Sequence, residues 1–407
     1  MISIGPARRS IAGWLSAAAI VFVQFSPAPA LSQGLLDRFD TGGLDATEIV
    51  TSRPILSPEI LAAMGLTILN YQDIVRNGGW PIVPADQILQ LGVRDPAVIV
   101  LRQRLVASYD LDPAAGLSDA FDSYVDAAVR RFQARHGIPD DGIVGTSTYA
   151  ALNVSASARL AQLEGNRDRL RELVGTTTGR YLFVNLPGAE IEAVENGQVV
   201  SRHTAVVGRV DRASPILTSQ IYEVNFNPFW TVPASIIRRD LIPLMQEHPA
   251  YLEEQRIRIY TQQGVEISPE SVDWFSDEAT RYVFRQDPGD LNSLGSVRIN
   301  FHNQHQVFLH DTPNKTLFGD DYRFESSGCV RVQDVRELIN WLLRDTPDWS
   351  RTQIDGVFTS GDRVDARIEN PVKVYFAYVT AWATESGAVH FRSDIYGYDN
   401  IGEYAMQ

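Results

Sequence analysis

Residues 307–331 read VFLHDTPNKTLFGDDYRFESSGCVR, and this stretch carries the strongest fold signal of the 407-residue chain. Its first four residues have the apolar run of a buried strand, which ends at the turn Asp311-Thr312-Pro313. His310 therefore stands where a strand passes into a loop, a common place for a reactive side chain. The loop that follows holds Cys329, the only cysteine in the chain.

The sequence around Cys329 favours a reactive thiol over a buried, inert one. A single cysteine cannot form an intramolecular disulfide. Gly328 lets a substrate carbonyl approach the backbone closely, and Arg331 adds positive charge that favours the thiolate. The imidazole of His310 is the type of base that a thiol nucleophile needs, and it can later return the proton to a leaving amine.

Four separated motifs carry a family resemblance. The first two, His310-Asp-Thr-Pro-x-Lys-x-Leu-Phe318 and Ser326-Ser-Gly-Cys-Val-Arg331, closely resemble the catalytic signature of L,D-transpeptidases with the YkuD-type fold. The others, Asn227-Pro-x-Trp230-Thr-Val-Pro233 and Gln286-Asp-Pro-Gly289 with the Asn292-x-Leu-Gly295 that follows, resemble segments of the larger YcbB-type subfamily. The resemblance runs from about residue 57 to residue 400.

The resemblance implies both a fold and a reaction. The fold class is an α+β multidomain chain, with a β-rich catalytic domain, a helical cap insertion and a small all-α peptidoglycan-binding-like domain. In the implied reaction the thiolate attacks the carbonyl before the terminal D-alanine of a tetrapeptide stem, and D-alanine leaves a thioester behind. An amine of a second stem then attacks to form a 3→3 cross-link. The resemblance also implies that carbapenems acylate the cysteine.

By matched position, the resemblance makes Cys329 the nucleophile and His310 the base and later the acid. The backbone N–H groups of Gly328 and Cys329 are the candidate oxyanion hole. Ser326 and Ser327 are expected to support the loop, and Arg331 either holds the loop or favours the thiolate. An acceptor must orient the imidazole. The Asp311 side chain points away in an extended segment, so a backbone carbonyl is expected.

Three residues are candidates for substrate binding: Trp230, Phe308 and Asn292. Trp230 precedes the cap and either lines the donor groove or belongs to the core. Phe308 shares the strand face of His310, and it lacks the hydroxyl of the tyrosine that some relatives carry at this position.

Metal and nucleic-acid chemistry are disfavoured. His302 and His305, together with His310, invite a metal site, but strand alternation and the thiol argue against it. No metal or cofactor is therefore predicted. The net charge of −14 argues against a nucleic-acid partner.

A helical module precedes the catalytic region. Val129-Arg-Arg-Phe-Gln133 and Asp141-Gly142-x-Val-Gly145 followed by Thr148 and Leu152 resemble the peptidoglycan-binding domain of bacterial wall enzymes. The resemblance implies docking to glycan or stem peptide. A helical spacer whose glycines serve only the fold is the alternative.

The N-terminus has the pattern of a secretory signal. Arg8 and Arg9 give the positive start, and the apolar run 11–25 is too short to span a bilayer comfortably. Cleavage near Ala30 or Ser32 and export to the periplasm or cell envelope are predicted. The paired arginines also raise the twin-arginine route, and an uncleaved anchor is the alternative.

These patterns divide the chain into six parts. They are a signal peptide (1–33), an N-terminal tether and scaffold segment (34–90), the peptidoglycan-binding-like domain (91–154), a connecting helix (155–179), the catalytic domain (180–366, with the cap at about 233–295) and a C-terminal strand and packing segment (367–407).

The leading functional hypothesis is a periplasmic transpeptidase that makes 3→3 cross-links. The same acyl-enzyme could instead attach an envelope protein to the wall, or transfer the stem to water as an L,D-carboxypeptidase. From other classes, the intact pair of Cys329 and His310 and its loop disfavour a wall-binding scaffold. The peptidoglycan-binding-like module and the Ser-x-Gly-Cys-x-Arg loop disfavour a cysteine protease.

Overall fold

A computed structural model describes residues 51–399 of the chain. The predicted signal peptide and the first part of the predicted tether, up to residue 50, lie outside the described residues, as do residues 400–407. No helix within the described range has the length and apolarity needed to cross a bilayer.

The N-terminal part of the described chain is helical. Its helices are α1 (Pro58–Arg76), α2 (Pro96–Ala107), α3 (Ser123–Arg135), α4 (Thr146–Leu152) and α5 (Ala156–Val174). Helices α2 to α4 form a small domain with an apolar core of its own, which includes Leu101 and Phe132. Asp95 begins α2 by accepting a hydrogen bond from Ala97 N at 2.7 Å, with proline at the first helical position. Helix α5 lies within the predicted connecting helix.

A nine-stranded sheet forms the core of the region predicted as the catalytic domain. Its strands are β1 (Arg180–Asn185), β2 (Glu190–Glu195), β3 (Gln198–Gly208), β4 (Leu217–Phe226), β9 (Val297–Phe301), β10 (Leu309–His310), β11 (Phe324–Ser326), β12 (Val330–Val332) and β13 (Val364–Ala377). The order is β11-β3-β12-β10-β9-β4-β13-β1-β2, and β2 also pairs with β3. That last pairing curls the sheet into a barrel-like structure.

Each face of the sheet packs on a separate apolar core. Inside the curl, alternate strand residues such as Leu309 and Val330 meet α9 (Val335–Leu343). On the other face, Phe183 and Tyr375 pack with residues of α1 and α5. Strands β1, β2 and β13 are therefore covered on both faces, whereas β9, β10 and β12 at the centre of the sheet contribute to the barrel core from one face only.

Strand β13 continues across the domain boundary that the sequence predicts at residue 366. It pairs with β4 on one side and with β1 on the other, so it lies within the sheet of the catalytic region. The pairing is irregular between Arg367 and Val372, where the strand is bulged.

The predicted cap is only partly helical. It holds α6 (Ala234–Ile236), a π-helical turn (Ile237–Leu241), α7 (Ile242–Glu247), α8 (Tyr251–Glu254) and the short strands β5 (Trp230–Thr231), β6 (Ile257–Tyr260), β7 (Glu266–Ile267) and β8 (Val283–Gln286). The four strands form a second sheet in the order β5-β8-β6-β7. A separate apolar core, which includes Leu252 and Phe284, makes the cap a folded unit rather than a loop.

Short elements complete the chain. They are α10 (Arg351–Ser360), β14 (Ala381–Ala383), β15 (Val389–Phe391) and the 3₁₀ turns Pro113–Ala115, Val210–Arg212, Pro269–Ser271, Asp277–Arg281 and Thr316–Gly319.

The helical domain is packed directly on the C-terminal strands. Arg135, which is buried, donates to both carboxylate oxygens of Asp110 at 2.7 and 2.5 Å and to the Val389 carbonyl at 2.9 Å. Arg392 returns a hydrogen bond to the Arg135 carbonyl at 3.2 Å. A buried guanidinium that loses such partners destabilises a fold strongly, so this junction is a fixed part of the structure.

Candidate active site

The sheet brings His310 and Cys329 onto neighbouring strands. His310 ends β10, which pairs in parallel with β12 in the register that sets His310 opposite Arg331. Paired residues point to the same face of a sheet, and alternate residues of one strand share a face. Cys329, two positions before Arg331, therefore lies on the face of His310. Leu309 precedes His310 and Val330 follows Cys329. Both point to the opposite face of the sheet, into the barrel core.

The backbone carbonyl of Asp311 orients the His310 ring. It accepts a hydrogen bond from Nδ1 at 2.5 Å, so Nδ1 carries the proton and Nε2 keeps its lone pair. The sequence predicts a backbone acceptor without identifying it, and that acceptor is the next residue in the chain. Nε2 is thus the nitrogen that can take a proton from the thiol. The hydrogen bonds within residues 51–399 include none between Nε2 and the thiol, and such contacts often form only with substrate bound.

The Asp311 side chain fixes the backbone that orients the ring. Its Oδ2 accepts from Ser296 N at 3.0 Å and Ser296 Oγ at 2.8 Å, and its Oδ1 pairs with Lys315. Burial would raise the pKa of this carboxyl, but Lys315 and Ser296 outweigh it and hold the pKa below the usual range. A side chain at Gly295, where φ is +59°, would come within 2.5 Å of Oδ2. The aspartate and lysine after His310 are therefore positioning residues.

Both reacting groups are neutral in the resting state. Burial raises the pKa of the Cys329 thiol to about 11, although the Phe308 backbone and the charges of Arg331 and Arg298 pull it down. Burial, and after it the Arg331 charge, lowers the pKa of His310 to about 3. Arg331 acts in the direction that the sequence predicts, because its charge lowers the pKa of the thiol, but desolvation outweighs that effect. The pair is suited to general-base attack, in which the proton moves as the bond to sulfur forms.

Alkylation of Cys329 by iodoacetamide is expected to increase with pH up to about pH 11. Only the thiolate reacts, and a thiol with a pKa of about 11 is ionised in only about one molecule in ten thousand at pH 7. The rate constant should rise about tenfold per pH unit between pH 7 and 10. Intact-mass spectrometry measures it without ambiguity, because the chain has one cysteine. A plateau already at pH 7 would mean that the resting thiol is ionised.

The nucleophile loop is held by Ser326. Its Oγ accepts from Gly328 N at 3.1 Å and donates to the Cys329 carbonyl at 2.5 Å. The hypothesis that the Gly328 N–H helps form the oxyanion hole is therefore corrected, since that donor is already used. Gly328 instead supplies a φ of +105°, which a side chain would strain. The Cys329 N–H takes no part in the backbone hydrogen bonds found between described residues, and it stays the candidate donor.

Two residues that the sequence does not single out hold the loop from outside. Ser214 Oγ donates to the Gly328 carbonyl and accepts from Gly208 N, both at 2.9 Å. Tyr396 OH donates to the Gly208 carbonyl at 2.5 Å. These contacts join segments more than a hundred residues apart in the chain, so no local pattern reveals them.

Arg212 links the loop to the cap. It donates to Ser327 Oγ at 3.0 Å and makes a two-pronged ion pair with Asp240, at 2.7 and 2.9 Å, in the π-helical turn of the cap. The carboxylate raises the pKa of Arg212. The predicted loop residue Ser327 is exposed and belongs to this link.

The cap, the Cys329 loop and every strand of the large sheet except most of β13 lie inside one family match. Residues 179–364 match the model of YkuD, the L,D-transpeptidase catalytic domain. This part of the chain is an L,D-transpeptidase catalytic domain. Residues 94–152 match a second model, described as "Putative peptidoglycan binding domain", and they coincide with the small helical domain.

Known proteins similar to this chain carry the same family name. A Haemophilus influenzae protein named "Putative L,D-transpeptidase" is 36% identical over 239 residues, which are 58% of this chain and 48% of that protein. The match thus spans about half the length of that relative. Among solved structures, an L,D-transpeptidase from Xylanimonas cellulosilytica is 16% identical, with 72% of this chain and 99% of that chain covered and a TM-score of 0.23. An L,D-transpeptidase in complex with imipenem is 11% identical, with 48% and 58% covered and a TM-score of 0.23.

The three substrate-binding candidates fall in different parts of the L,D-transpeptidase domain. Phe308 packs its ring edge-on against His310, with centroids 5.7 Å apart, so it lies beside the reacting groups. Trp230 begins β5 and is half-buried against the cap core, which favours the core alternative. The prediction that Asn292 binds substrate is corrected by its contacts. It is buried, and its amide donates to the Pro228 and Asp287 carbonyls at 3.0 Å, so it holds the base of the cap.

A cavity of about 520 Å³ lies between the helical domain and the L,D-transpeptidase domain. Residues 136–139 and 145–148 line it on the helical side, and residues 187–190 and 321–324 line it on the other. The last of these segments leads through β11 into the nucleophile loop. The cavity is therefore lined by the segment that precedes the nucleophile loop, and its volume lies in the range of small-ligand pockets.

Proposed function

We propose that this chain is an exported L,D-transpeptidase that joins two peptidoglycan stems by a 3→3 bond. The observation that carries the proposal is the pairing of His310, with Nε2 free, and the only cysteine on one face of a domain of this family. Export rests on the signal pattern of residues 1–33.

In the proposed acylation, Cys329 Sγ bonds to the carbonyl carbon of the third stem residue. His310 Nε2 takes the thiol proton as this bond forms. The tetrahedral intermediate then expels the D-alanine nitrogen, which receives that proton from Nε2. The products are a thioester on Cys329 and free D-alanine. The Cys329 N–H is the proposed donor to the oxyanion.

In the proposed second half-reaction, the side-chain amine of another stem attacks the thioester carbonyl. His310 takes a proton from the amine, and the proton returns to sulfur as the carbon–sulfur bond breaks. The low pKa of His310 supports both halves, because the imidazole is a free base at neutral pH. The same acyl-enzyme would attach an envelope protein if a protein amine entered, or trim the stem if water entered.

Mass spectrometry of muropeptides after incubation with defined tetrapeptide-stem fragments tests the proposal. A dimer linked 3→3, with loss of D-alanine, is the expected product. Tripeptide without dimer would favour an L,D-carboxypeptidase, and a dimer formed only with an added envelope protein would favour protein attachment. If no donor forms a thioester on Cys329, the wall-binding scaffold remains as the alternative function.

Docking of the wall on the helical domain is the second part of the proposal. The domain match and the cavity between the helical domain and the L,D-transpeptidase domain support it. Ser147 is exposed at the start of α4 and lines the cavity. Deleting residues 91–153 would remove Arg135 and expose the C-terminal strand that it contacts at Val389, so a point variant is the cleaner test.

Ser147→Arg is expected to reduce retention on purified sacculi about tenfold or more, because the long side chain fills the cavity. Ala150→Arg is the matched control, since Ala150 is exposed on the same helix and does not line the cavity. Co-sedimentation measures retention. Equal retention of the two variants and the native chain would favour the spacer alternative.

A further inference from the structure

Two arginines flank His310 on the catalytic face. Arg331 lies opposite His310 on β12, and Arg298 lies opposite it on β9. The three side chains form one row across three strands. Both guanidinium groups lie near enough to Cys329 to lower the pKa of its thiol.

Neither arginine has a carboxylate partner among the described residues. Arginines elsewhere in the chain commonly do, as Arg212 with Asp240 and Arg135 with Asp110 show. The Arg331 side chain also forms no hydrogen bond within residues 51–399, and its Nε is fully buried without a partner. The exposed carboxylate of Glu325 acts on Arg331 through space but forms no ion pair with it, and a largely buried charge without a directly bonded counter-ion is costly.

Arg298 differs from Arg331 in being fixed from one side. Its Nε and Nη2 donate to Asn225 Oδ1 at 3.0 and 2.8 Å. Asn225 in turn donates to Asp365 at 2.8 Å. This neutral amide steers the guanidinium without neutralising it, so the positive charge remains available beside the reaction centre.

We propose that Arg331, assisted by Arg298, binds the free carboxylate at the C-terminus of the donor stem, which is the carboxylate of the leaving D-alanine. The inference rests on the proposed function. Cys329 and Arg331 are two residues apart along an extended strand, about 6.6 Å. The carboxylate lies one residue, about 3.8 Å, beyond the carbonyl that meets the thiol. A guanidinium group can donate two parallel hydrogen bonds to a carboxylate in a bidentate geometry.

This assignment explains how the site would select its donor stem. A stem that ends in a free carboxylate supplies the missing counter-ion, and a stem that ends in an amide leaves Arg331 unpaired when the cleft is filled. Other carboxylates of the stem are chemically similar, but they lie on the acyl side of the reacting carbonyl rather than on the leaving side.

The test compares donors by the rate of thioester formation on Cys329, followed by intact mass. The full chain is mixed with a tetrapeptide stem that ends in D-alanine, with the same stem as the C-terminal amide, and with a stem amidated only at its other carboxylates. The native chain is expected to prefer the free C-terminus by about 10- to 100-fold in kcat/KM. Amidation elsewhere should leave that preference unchanged.

Arg331→Gln is expected to remove most of this preference by slowing the acid donor while the amide donor stays within about twofold. Arg331→Lys should restore part of it. Arg336→Gln, at an exposed site on α9, is the matched control for loss of one positive charge. The ratio between donors separates recognition from mere damage to the loop, which would slow both donors alike.

Three results would overturn the inference: no preference in the native chain, equal slowing of both donors by Arg331→Gln, or dependence on a carboxylate other than the C-terminal one. A chain that forms no thioester with any donor would instead overturn the proposed function, and this inference with it.

Discussion

Cys329→Ala is expected to abolish thioester formation and cross-linking completely. The chain has no other cysteine, so no second thiol can substitute. Intact-mass spectrometry after incubation with a tetrapeptide-stem donor should show the acyl adduct on the native chain and no adduct on the variant. The muropeptide dimer should disappear with it.

The fold of the Cys329→Ala variant should persist. The side chain is half-buried at the edge of the barrel core, and its hydrogen-bonded neighbours in the loop are backbone groups and Ser326. We expect the free energy of unfolding to change by about 1 kcal/mol or less, as measured by urea denaturation. Cross-linking by a folded Cys329→Ala protein would rule out the nucleophile assignment.

His310→Ala is expected to slow acylation by about 10²- to 10⁴-fold at neutral pH, because the thiol loses its base. The pH dependence gives a second signature. A base works only when it is unprotonated, and the pKa of His310 is about 3. The native rate should therefore stay level from pH 8 down to pH 5 and fall only as the pH approaches 3. In the variant the rate should instead rise with pH as the thiol itself ionises.

His248→Ala provides a control for removal of an imidazole. His248 is exposed on the cap and pairs with Glu254 at 2.8 Å, away from the catalytic strands. Its loss should leave the acylation rate within about twofold. A native rate that already falls near pH 6.5 would show that His310 titrates normally, and the neutral-pair mechanism would then be wrong.

The reacting pair is the part of the site that local sequence predicts best. His310 follows an apolar strand run, and the loop before Cys329 has a glycine where φ must be positive. These features depend on neighbours within a few residues, so a short motif contains them. The backbone acceptor for the imidazole also follows from strand alternation, although its identity does not.

The hydrogen bonds that hold the nucleophile loop in place could not be predicted, because they join residues far apart in the sequence. The contact between Ser214 and Gly328 spans 114 positions, and the contact between Tyr396 and Gly208 spans 188. Asn292 lies in a motif that resembles a functional segment, and only the fold shows that its amide is used at the base of the cap. Strand β13 crosses the predicted boundary at residue 366 for a similar reason, because its partners β1 and β4 are distant in the sequence.

The buried junction through Arg135 and Arg392 has a consequence for how the chain would work on a wall. A flexible tether lets a catalytic domain search a volume whose effective concentration falls as the tether lengthens. Here two hydrogen-bonded arginines replace the tether, so an anchored strand and the thiol are held at one distance and one angle. On the proposed function, such an enzyme cross-links only stems that lie at a fixed distance from the site where the helical domain binds the wall. Stems that are nearer or farther stay unjoined.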